Sequence, residues 1–229
     1  IIQLTAATAT ELLNKTINMD GDLQARSVQN VNGNIVLGGE NGEINVNGLI
    51  DVSGNNLGEN GGKIVISGDT VNLPQGLIDI SGENKGGELF VYANNLNLGI
   101  NVNTSEGSYV LFDPIDLIVG TTEANTFVTS LSGGGTVNVS ASNSITVNAL
   151  IDSSLQGNNA ILNFIDENSD NNLTVNLNEK IILGTNQSLT GQATIVNLAG
   201  NGLVQNAVNI SASGGIINLA NGNFLEGKQ

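Results

Sequence analysis

The chain has 229 residues, six of them basic and 21 acidic, giving a net charge of −15, and it contains neither cysteine nor histidine. So negative a field repels phosphate backbones, and the composition therefore predicts no nucleic-acid partner. Disulfide frameworks, thiolate metal sites and serine–histidine–aspartate triads are excluded by the missing residue types.

The apolar content predicts an all-β protein with an aliphatic core. Apolar residues make up 39% of the chain but aromatic residues only 3%, so Val, Ile and Leu must fill the interior. Short β-branched runs alternate with turn-forming Gly and Asn, which is typical of strands joined by tight corners. No run reaches the 18 or so apolar residues that a membrane-spanning helix needs.

The amino-terminal stretch IIQLTAATAT lacks the basic region of a signal peptide. If the protein is exported, we therefore expect this chain to be an internal piece of something longer. Residues 5–30 can begin with one or two helical turns, with Thr8 or Thr10 as the N-cap and Leu12 and Leu13 facing inward.

Residues 48–73 and 76–98 repeat nearly the same line, each beginning with GLID. Each line contains three short alternating runs separated by two turn clusters. Three strands in a repeat of 20–30 residues are typical of a β-solenoid, in which equivalent strands stack in parallel. The alignment predicts that Ile50 lies over Ile78 at the strand spacing of about 4.8 Å.

The same pattern continues on both sides of this repeat, without a linker or a charged run. It recurs upstream in residues 33–54 and downstream in residues 135–154, 159–183 and 192–200. The sequence therefore predicts an all-β fold, a parallel β-helix of about ten rungs and about 45–50 Å in length.

Two segments resemble the passenger repeats of the filamentous haemagglutinin family, the exoproteins of two-partner secretion in Gram-negative bacteria. They are INMDGDLQARSVQNVNGNIVLGGENGEINVNGLIDVSG (17–54) and SYVLFDPIDLIVG (108–120), and residues 124–154 are similar to the family's usual continuation. The tail from residue 202 to 229 instead resembles the opening of a pectin-lyase-like β-helix. We therefore expect one domain over residues 1–201 and a further rung or segment over 202–229.

The resemblance to this family has structural and cellular implications. It implies a right-handed β-helix in which residues 5–30 belong to a rung with a short helix. It also implies export by an outer-membrane partner transporter, folding outside the cell, and a role in adhesion or surface structure. The expected location is therefore secreted or on the bacterial cell surface.

Three aspartates occupy the same place in successive LID lines: Asp51, Asp79 and Asp152. One interpretation is a row of carboxylates that binds Ca²⁺, which prefers oxygen ligands, or that degrades polysaccharide. The other is that each Asp begins a turn by accepting a hydrogen bond from the backbone two residues on. The scarcity of basic residues argues against a lyase, and we favour the turn.

The densest cluster of oxygen ligands is Asp166, Glu167 and Asp170, a weak candidate for a Ca²⁺ site. The cluster lacks the spacing of known calcium-binding loops, and a solvated loop is the favoured interpretation. Asp113 and Asp116 flank Pro114 and are expected to be structural, since proline sets a turn at a strand edge.

Other residues are assigned to structure. Gly-Gly elements at 61–62, 86–87 and 133–135 are expected at solenoid corners, since no P-loop Lys follows them. The pattern places several phenylalanines in the core, namely Phe90, Phe112 and Phe164. Stacked Asn side chains are expected to form hydrogen-bonded ladders, with candidates at Asn72, Asn97, Asn176 and Asn197.

The sequence favours a non-enzymatic rod that needs no cofactor. It would project loops at its long corner, roughly residues 54–62, 121–133 and 166–172, towards a glycan or protein on a host or neighbouring cell. Unpaired strand edges at the ends of a solenoid also invite self-association, end to end or laterally, into fibre or matrix. The alternatives are a carbohydrate-active β-helix enzyme, which would need exposed aromatics and a base, and a Ca²⁺-dependent surface-layer module.

Overall fold

The computed structural model describes most of the chain. The described residues are 1–5, 16–28, 31–38, 42–156, 158–166, 173–184, 186–192, 195–198, 204–206, 208–211, 216–219 and 226–227. Within these residues the structure has 24 β-strands and one α-helix, and none of its helices is long and apolar enough to cross a membrane.

Twelve of the described strands precede the helix, and all but the 11-residue strands β7 and β9 have three to five residues. They are β1 (Ile2–Thr5), β2 (Thr16–Met19), β3 (Asp22–Gln24), β4 (Asn34–Gly38), β5 (Glu43–Val46), β6 (Leu49–Asp51), β7 (Lys63–Leu73), β8 (Leu77–Asp79), β9 (Glu88–Leu98), β10 (Asn101–Asn103), β11 (Tyr109–Asp113) and β12 (Asp116–Val119).

The helix and twelve further strands complete the described elements. They are α1 (Thr121–Leu131), β13 (Thr136–Val139), β14 (Ser144–Val147), β15 (Ile151–Asp152), β16 (Ile161–Phe164), β17 (Thr174–Leu177), β18 (Ile181–Ile182), β19 (Ser188–Gln192), β20 (Ile195–Leu198), β21 (Val204–Asn206), β22 (Val208–Ser211), β23 (Ile216–Leu219) and β24 (Glu226–Gly227).

The strands stack into a three-sided parallel β-solenoid, as the repeat predicted. The first side is a row of nine strands, β1-β4-β7-β9-β11-β13-β16-β19-β22. The sequence predicted about ten rungs, whereas the described structure supports about six turns, from β4 to β18, which contain most of the buried core. Right-handedness stays a prediction, as does the division of the chain at residue 202.

The second side consists of two separate groups of strands. The first group contains β2, β5 and the second halves of the long strands β7 and β9, and the second is the row β12-β14-β17-β20-β23. The third side also has two rows, β3-β6-β8-β10 and β15-β18-β21-β24. The helix α1 lies between them, because it contacts both β10 and β15.

Residues at equivalent positions of successive turns face inward and form continuous rows of aliphatic side chains. Ile50 pairs with Ile78, as the alignment on GLID predicted. On the first side Ile35 pairs with Ile64, which pairs with Leu89, and all three are fully buried. Because each turn covers the apolar face of the turn below it, burial of these rows is the main stabilising term of the rod.

The expected asparagine ladder is present on the second side. Asn45 donates to Asn18 at 2.7 Å, Asn72 donates to Asn45 at 2.7 Å, and Asn97 donates to Asn72 at 2.5 Å. Further along the rod, Nδ2 of Asn176 donates to Oγ1 of Thr146 at 3.2 Å, and the side chain of Asn197 lies outside the described part of the structure. The ladder adds a side-chain hydrogen bond between turns to the backbone bonds of the sheet.

Replacing the central ladder residue, Asn72→Ala, is expected to lower the free energy of unfolding by about 1–2 kcal/mol. The change removes two donated bonds, to Asn45 and Glu43, and the bond accepted from Asn97. Urea unfolding measures the loss. Asn84→Ala is the control, since Asn84 is exposed and donates one bond, to Asn60 at 2.8 Å; an equal loss in both variants would contradict the ladder's contribution.

Candidate functional site

Three aromatic side chains meet on the outer surface of the first side, on strands β9 and β11. The ring centroids of Phe90 and Tyr109 are 5.6 Å apart, and those of Phe90 and Tyr92 are 6.3 Å apart with ring planes only 13° from parallel. Leu89 and Val91 point inward and are fully buried, so their neighbours in the strand point outward. We call Phe90, Tyr92 and Tyr109 the aromatic patch.

A lysine lies against this patch. The Nζ atom of Lys63 is 4.4 Å from the centroid of the Phe90 ring and 3.5 Å from Oε2 of Glu88. Both charged side chains are about half exposed, at 47% for Lys63 and 51% for Glu88, so the ion pair is worth about 1 kcal/mol or less. The two contacts together hold a cation against the Phe90 ring, in a patch where Tyr92 is 37% exposed and Phe90 and Tyr109 are half-buried.

A groove of about 520 Å³ runs beside the patch along the corner before strands β7, β9 and β11. Its volume is within the usual range for small-ligand pockets. Lys63 and Lys85, two of the six basic residues of the chain, line it together with Tyr109. The groove thus combines two cations, the Glu88 carboxylate that pairs with Lys63, and the ring of Tyr109, in a protein of strongly negative net charge.

Backbone forms the floor of this groove, because stacked glycines form the corner, as the sequence predicted. A Cβ atom on Gly87 would lie 2.1 Å from the carbonyl oxygen of Gly62, and one on Gly62 would lie 2.3 Å from that of Gly33. Such separations are impossible for real side chains, so the corner requires glycine for close approach. The glycine backbone of successive turns is therefore in close contact beneath the groove, where these glycines are buried.

The aromatic patch was missed by the sequence analysis. Phe112 and Phe164 are buried as predicted, at 0% and 2% exposure, but the assignment of Phe90 to the core was wrong. The signal was present in the line ELFVY, where alternation places Leu89 and Val91 inward and the two aromatic residues outward. Hydrophobicity alone suggested burial, although apolar side chains are common on protein surfaces.

The aspartates of the LID lines begin turns, as the favoured interpretation predicted. Oδ1 of Asp51 accepts hydrogen bonds from N of Ser53 at 2.9 Å and from its Oγ at 2.6 Å. Asp79 accepts the same pair of bonds from Ser81, at 2.9 and 2.6 Å. Asp152 accepts one bond, from N of Ser154 at 3.0 Å. These bonds satisfy the first carboxylate oxygen in each line.

The second oxygens of the stacked pair also have partners. Asp51 and Asp79 are directly paired in the sheet. Oδ2 of Asp51 accepts from Nε of Arg26, and Oδ2 of Asp79 accepts from Nδ2 of Asn103 at 2.9 Å. The two carboxylates are therefore surrounded by donors within the fold, which favours the turn over the weak Ca²⁺ candidate at these positions.

Asp51 is the buried member of the pair, and its environment stabilises the charged form. Burial raises the pKa of this carboxyl, but the two hydrogen bonds from Ser53 and the Arg26 guanidinium outweigh burial and hold the pKa below its ordinary value of 3.8. The side chain of Asp51 is 4% exposed and that of Arg26 is 53% exposed. Asp51 is thus a charged structural residue at pH 7.

The other Ca²⁺ candidate falls mostly outside the described residues, which include Asp166 but neither Glu167 nor Asp170. Oδ2 of Asp166 accepts a bond from N of Leu173 at 3.4 Å. In the part of the chain that the structure describes, no three acidic side chains come close enough to hold a metal ion. The proposal of a Ca²⁺ site at residues 166–170 stays a prediction.

The predicted junction around Pro114 links successive turns. Oδ1 of Asp116 accepts bonds from Nδ2 of Asn143 at 2.7 Å and from Oγ of Ser144 at 2.5 Å, both on the next turn. Asp113 ends β11 and Asp116 begins β12, on either side of the proline. The position of Asp116 supports its assignment to structure.

One of the three corner segments expected to be a loop is a helix. Residues 121–131 form α1, whose buried residues include Ala124, Phe127 and Leu131. Residues 54–62 form the predicted turn-rich corner. The helical turns predicted near Thr8 and Leu12 lie outside the described residues.

No family model, curated protein or solved structure matches this chain. The fold and the surface chemistry of the described residues therefore carry the functional interpretation.

Proposed function

We propose that this chain is a structural and adhesive β-solenoid segment of a large secreted or surface-exposed bacterial exoprotein. The resemblance of residues 17–54 and 108–154 to filamentous haemagglutinin passenger repeats supports export through an outer-membrane partner transporter. The regular stacking of turns supports a rod, because each turn is joined to the next by backbone bonds, aliphatic rows and the asparagine ladder.

The observation that carries the adhesive function is the aromatic patch with its lysine. A flat aromatic face offers apolar surface to the C–H face of a sugar ring, and the Tyr hydroxyls and the Lys63 ammonium offer polar contacts at its edge. Because Lys63 and Lys85 flank the same groove, we propose as ligand a cell-surface glycan that contains a carboxylate-bearing sugar. The protein acts by binding and supporting, without a cofactor and without catalysis.

A printed array of neutral and carboxylated glycans tests this function with the 229-residue chain. We expect binding to carboxylated members, and a loss of about tenfold in affinity for Tyr92→Ala, since an aromatic contact is worth up to about 1.5 kcal/mol. Lys63→Ala is expected to weaken binding to carboxylated glycans and leave neutral ones unchanged. Leu155→Ala is the control, because Leu155 is 96% exposed and does not line the groove.

Two outcomes would contradict the proposal: no glycan bound above background, or equal affinity for the Tyr92→Ala and Leu155→Ala variants. The same incubations distinguish the enzymatic alternative, for which the aromatic patch, the two lysines and Glu88 supply groups that the sequence analysis had not recognised. Release of reducing or unsaturated ends would favour a carbohydrate-active enzyme over an adhesin.

Self-association belongs to the same proposal, since a solenoid ends in unpaired strand edges unless it is capped. Electron microscopy of the purified chain at several concentrations distinguishes isolated rods from filaments. Isolated rods would favour a stalk that displays the aromatic patch, whereas filaments with an axial repeat near the rod length would identify the ends as the functional surface.

A further inference from the structure

The second side of the solenoid is interrupted between β9 and β12. The second half of β9 pairs with β7 up to Leu98, and β12 pairs with β14 from Asp116 onward. Between β9 and β12 the described structure has one backbone bond, from N of Ile115 to O of Asn94 at 3.3 Å, and none after it. Two parallel strands of four residues, 95–98 and 116–119, thus face each other without pairing.

The helix α1 explains the gap. On the third side it occupies the place of a strand, between β10 and β15. A helix with its side chains is about 10–12 Å wide, whereas neighbouring strands are about 4.8 Å apart. Its buried Phe127 packs against Phe112 with ring centroids 6.0 Å apart, so the helix is fixed in the core. The turn that contains α1 is therefore wedge-shaped, and the wedge opens beside β12.

The gap forms a surface groove of about 460 Å³. The asparagine ladder ends on its first wall at Asn97, and its second wall carries Ile118 among the outward-facing residues of β12. Ile118 is 65% exposed and the neighbouring Ile115 is 42% exposed. Backbone pairing and the side-chain ladder are thus interrupted at the same turn.

The charged residues that line the groove are all acidic. Asp116 and Glu123 line it, and an adjoining groove that shares Asn94 and Ile115 contains Asp69 and Asp113. Among the described residues, no Lys or Arg lines either groove. A ligand that carries positive charge is therefore favoured over an acidic one, in contrast to the lysine-lined groove beside the aromatic patch.

We propose that this gap binds an extended peptide of another protein, with apolar residues alternating with Lys or Arg. The peptide adds a strand between β9 and β12 and makes main-chain hydrogen bonds to their facing edges. Its apolar residues contact the exposed side chains of Ile115 and Ile118, and its basic residues face Asp116 and Glu123. Residues 95–98 and 116–119 are strand edges of equal length and parallel direction, so each offers unpaired main-chain groups to an added strand.

The test uses the synthetic peptide acetyl-Lys-Val-Asn-Val-Lys-Val-amide, labelled with a fluorophore, and fluorescence anisotropy with the intact chain. Saturable binding is expected, with at least a tenfold loss when the valine nitrogens are methylated, since methylation removes main-chain donors. A peptide of the same composition with the three valines in one block should also bind at least tenfold more weakly. Equal binding of all three peptides would overturn the proposal and indicate charge attraction alone.

Two matched variants locate the site. Ile118→Lys places a long cation in the groove and should reduce peptide affinity at least tenfold. Leu155→Lys adds the same charge at a residue that is 96% exposed elsewhere and should leave affinity unchanged. Circular dichroism melting checks that both variants fold. Absence of peptide binding in the unmodified chain would overturn the proposal. So would a concentration-dependent dimer that Ile118→Lys abolishes, because the occupant would then be a second copy.

Discussion

Truncation of the helix anchor, Phe127→Ala, is expected to lower the free energy of unfolding by about 3–5 kcal/mol, the usual cost of removing a buried phenyl ring. Phe127 is fully buried and contacts the Phe112 ring. In a chain of this size the loss corresponds to a fall in Tm of roughly 6–20 °C. Thermal and urea unfolding followed by circular dichroism measure both quantities.

The effect is expected to be local before it is global. Stability in a solenoid is nearly a sum of contributions from each turn and its neighbours, so loss of the helix should first release the turn that contains it. Hydrogen exchange should therefore rise earliest in α1 and β12. The control is Leu155→Ala, which removes an exposed side chain and should change stability by about 0.5 kcal/mol or less. A loss below about 1 kcal/mol for Phe127→Ala would contradict the packing of α1 in the core through this ring.

The repeat made the solenoid predictable, because register in stacked parallel strands follows from aligned side chains. Once the two GLID segments are aligned, the alternation of inward- and outward-facing side chains along each strand determines which residues face the core. The pairing of Ile50 with Ile78 and of Ile64 with Leu89 follows from this alignment. The asparagine ladder was predictable for the same reason. An Asn between two apolar residues that face the core recurs in four successive turns, from Asn18 to Asn97, so these side chains stack on one another outside the core.

The helix was harder to predict. Ala124, Phe127 and Leu131 have helical spacing, at i, i+3 and i+7, and all are buried. The same segment, TTEANTFVTSL, is rich in Thr and contains Val, residues that favour strands, and glycines flank it as they flank the loops. A single segment with helical spacing, surrounded by many strand patterns, is easily assigned to the same class as its neighbours. It is recognised only when the spacing of its apolar residues is examined residue by residue.

The two surface grooves depend on features that a linear sequence does not contain. The groove beside the aromatic patch arises where corners with close glycine contacts bring Lys63, Lys85 and Tyr109 to one edge. The gap between β9 and β12 arises because a helix is wider than the strand that it replaces. Both grooves depend on the packing between particular turns. The sequence repeat therefore predicted the solenoid but not the places where successive turns differ.

Replacement of Asp51, the buried aspartate that begins a turn, is expected to have the second large effect on stability. Asp51→Asn is expected to lower the free energy of unfolding by about 2–4 kcal/mol at pH 7, because it weakens the bonds to Ser53 and leaves the Arg26 guanidinium without its partner. Half of the Arg26 side chain is exposed, which limits the electrostatic part. Asp152→Asn is the control, since Asp152 is exposed and accepts a single bond; it should cost less than about 1 kcal/mol.

Acidic pH should remove the difference between the wild-type chain and Asp51→Asn. The pKa of Asp51 is lower in the folded chain than its ordinary value of 3.8. Its charge therefore stabilises the fold fully above that value and progressively less as the pH falls through the folded pKa. Urea unfolding of both chains between pH 7 and pH 2 measures the difference between their free energies of unfolding. This difference should stay constant down to about pH 5 and become smaller below about pH 4. If the difference in the free energy of unfolding stays constant to pH 2, the hydrogen-bond geometry of Asp51, and not its charge, stabilises this corner.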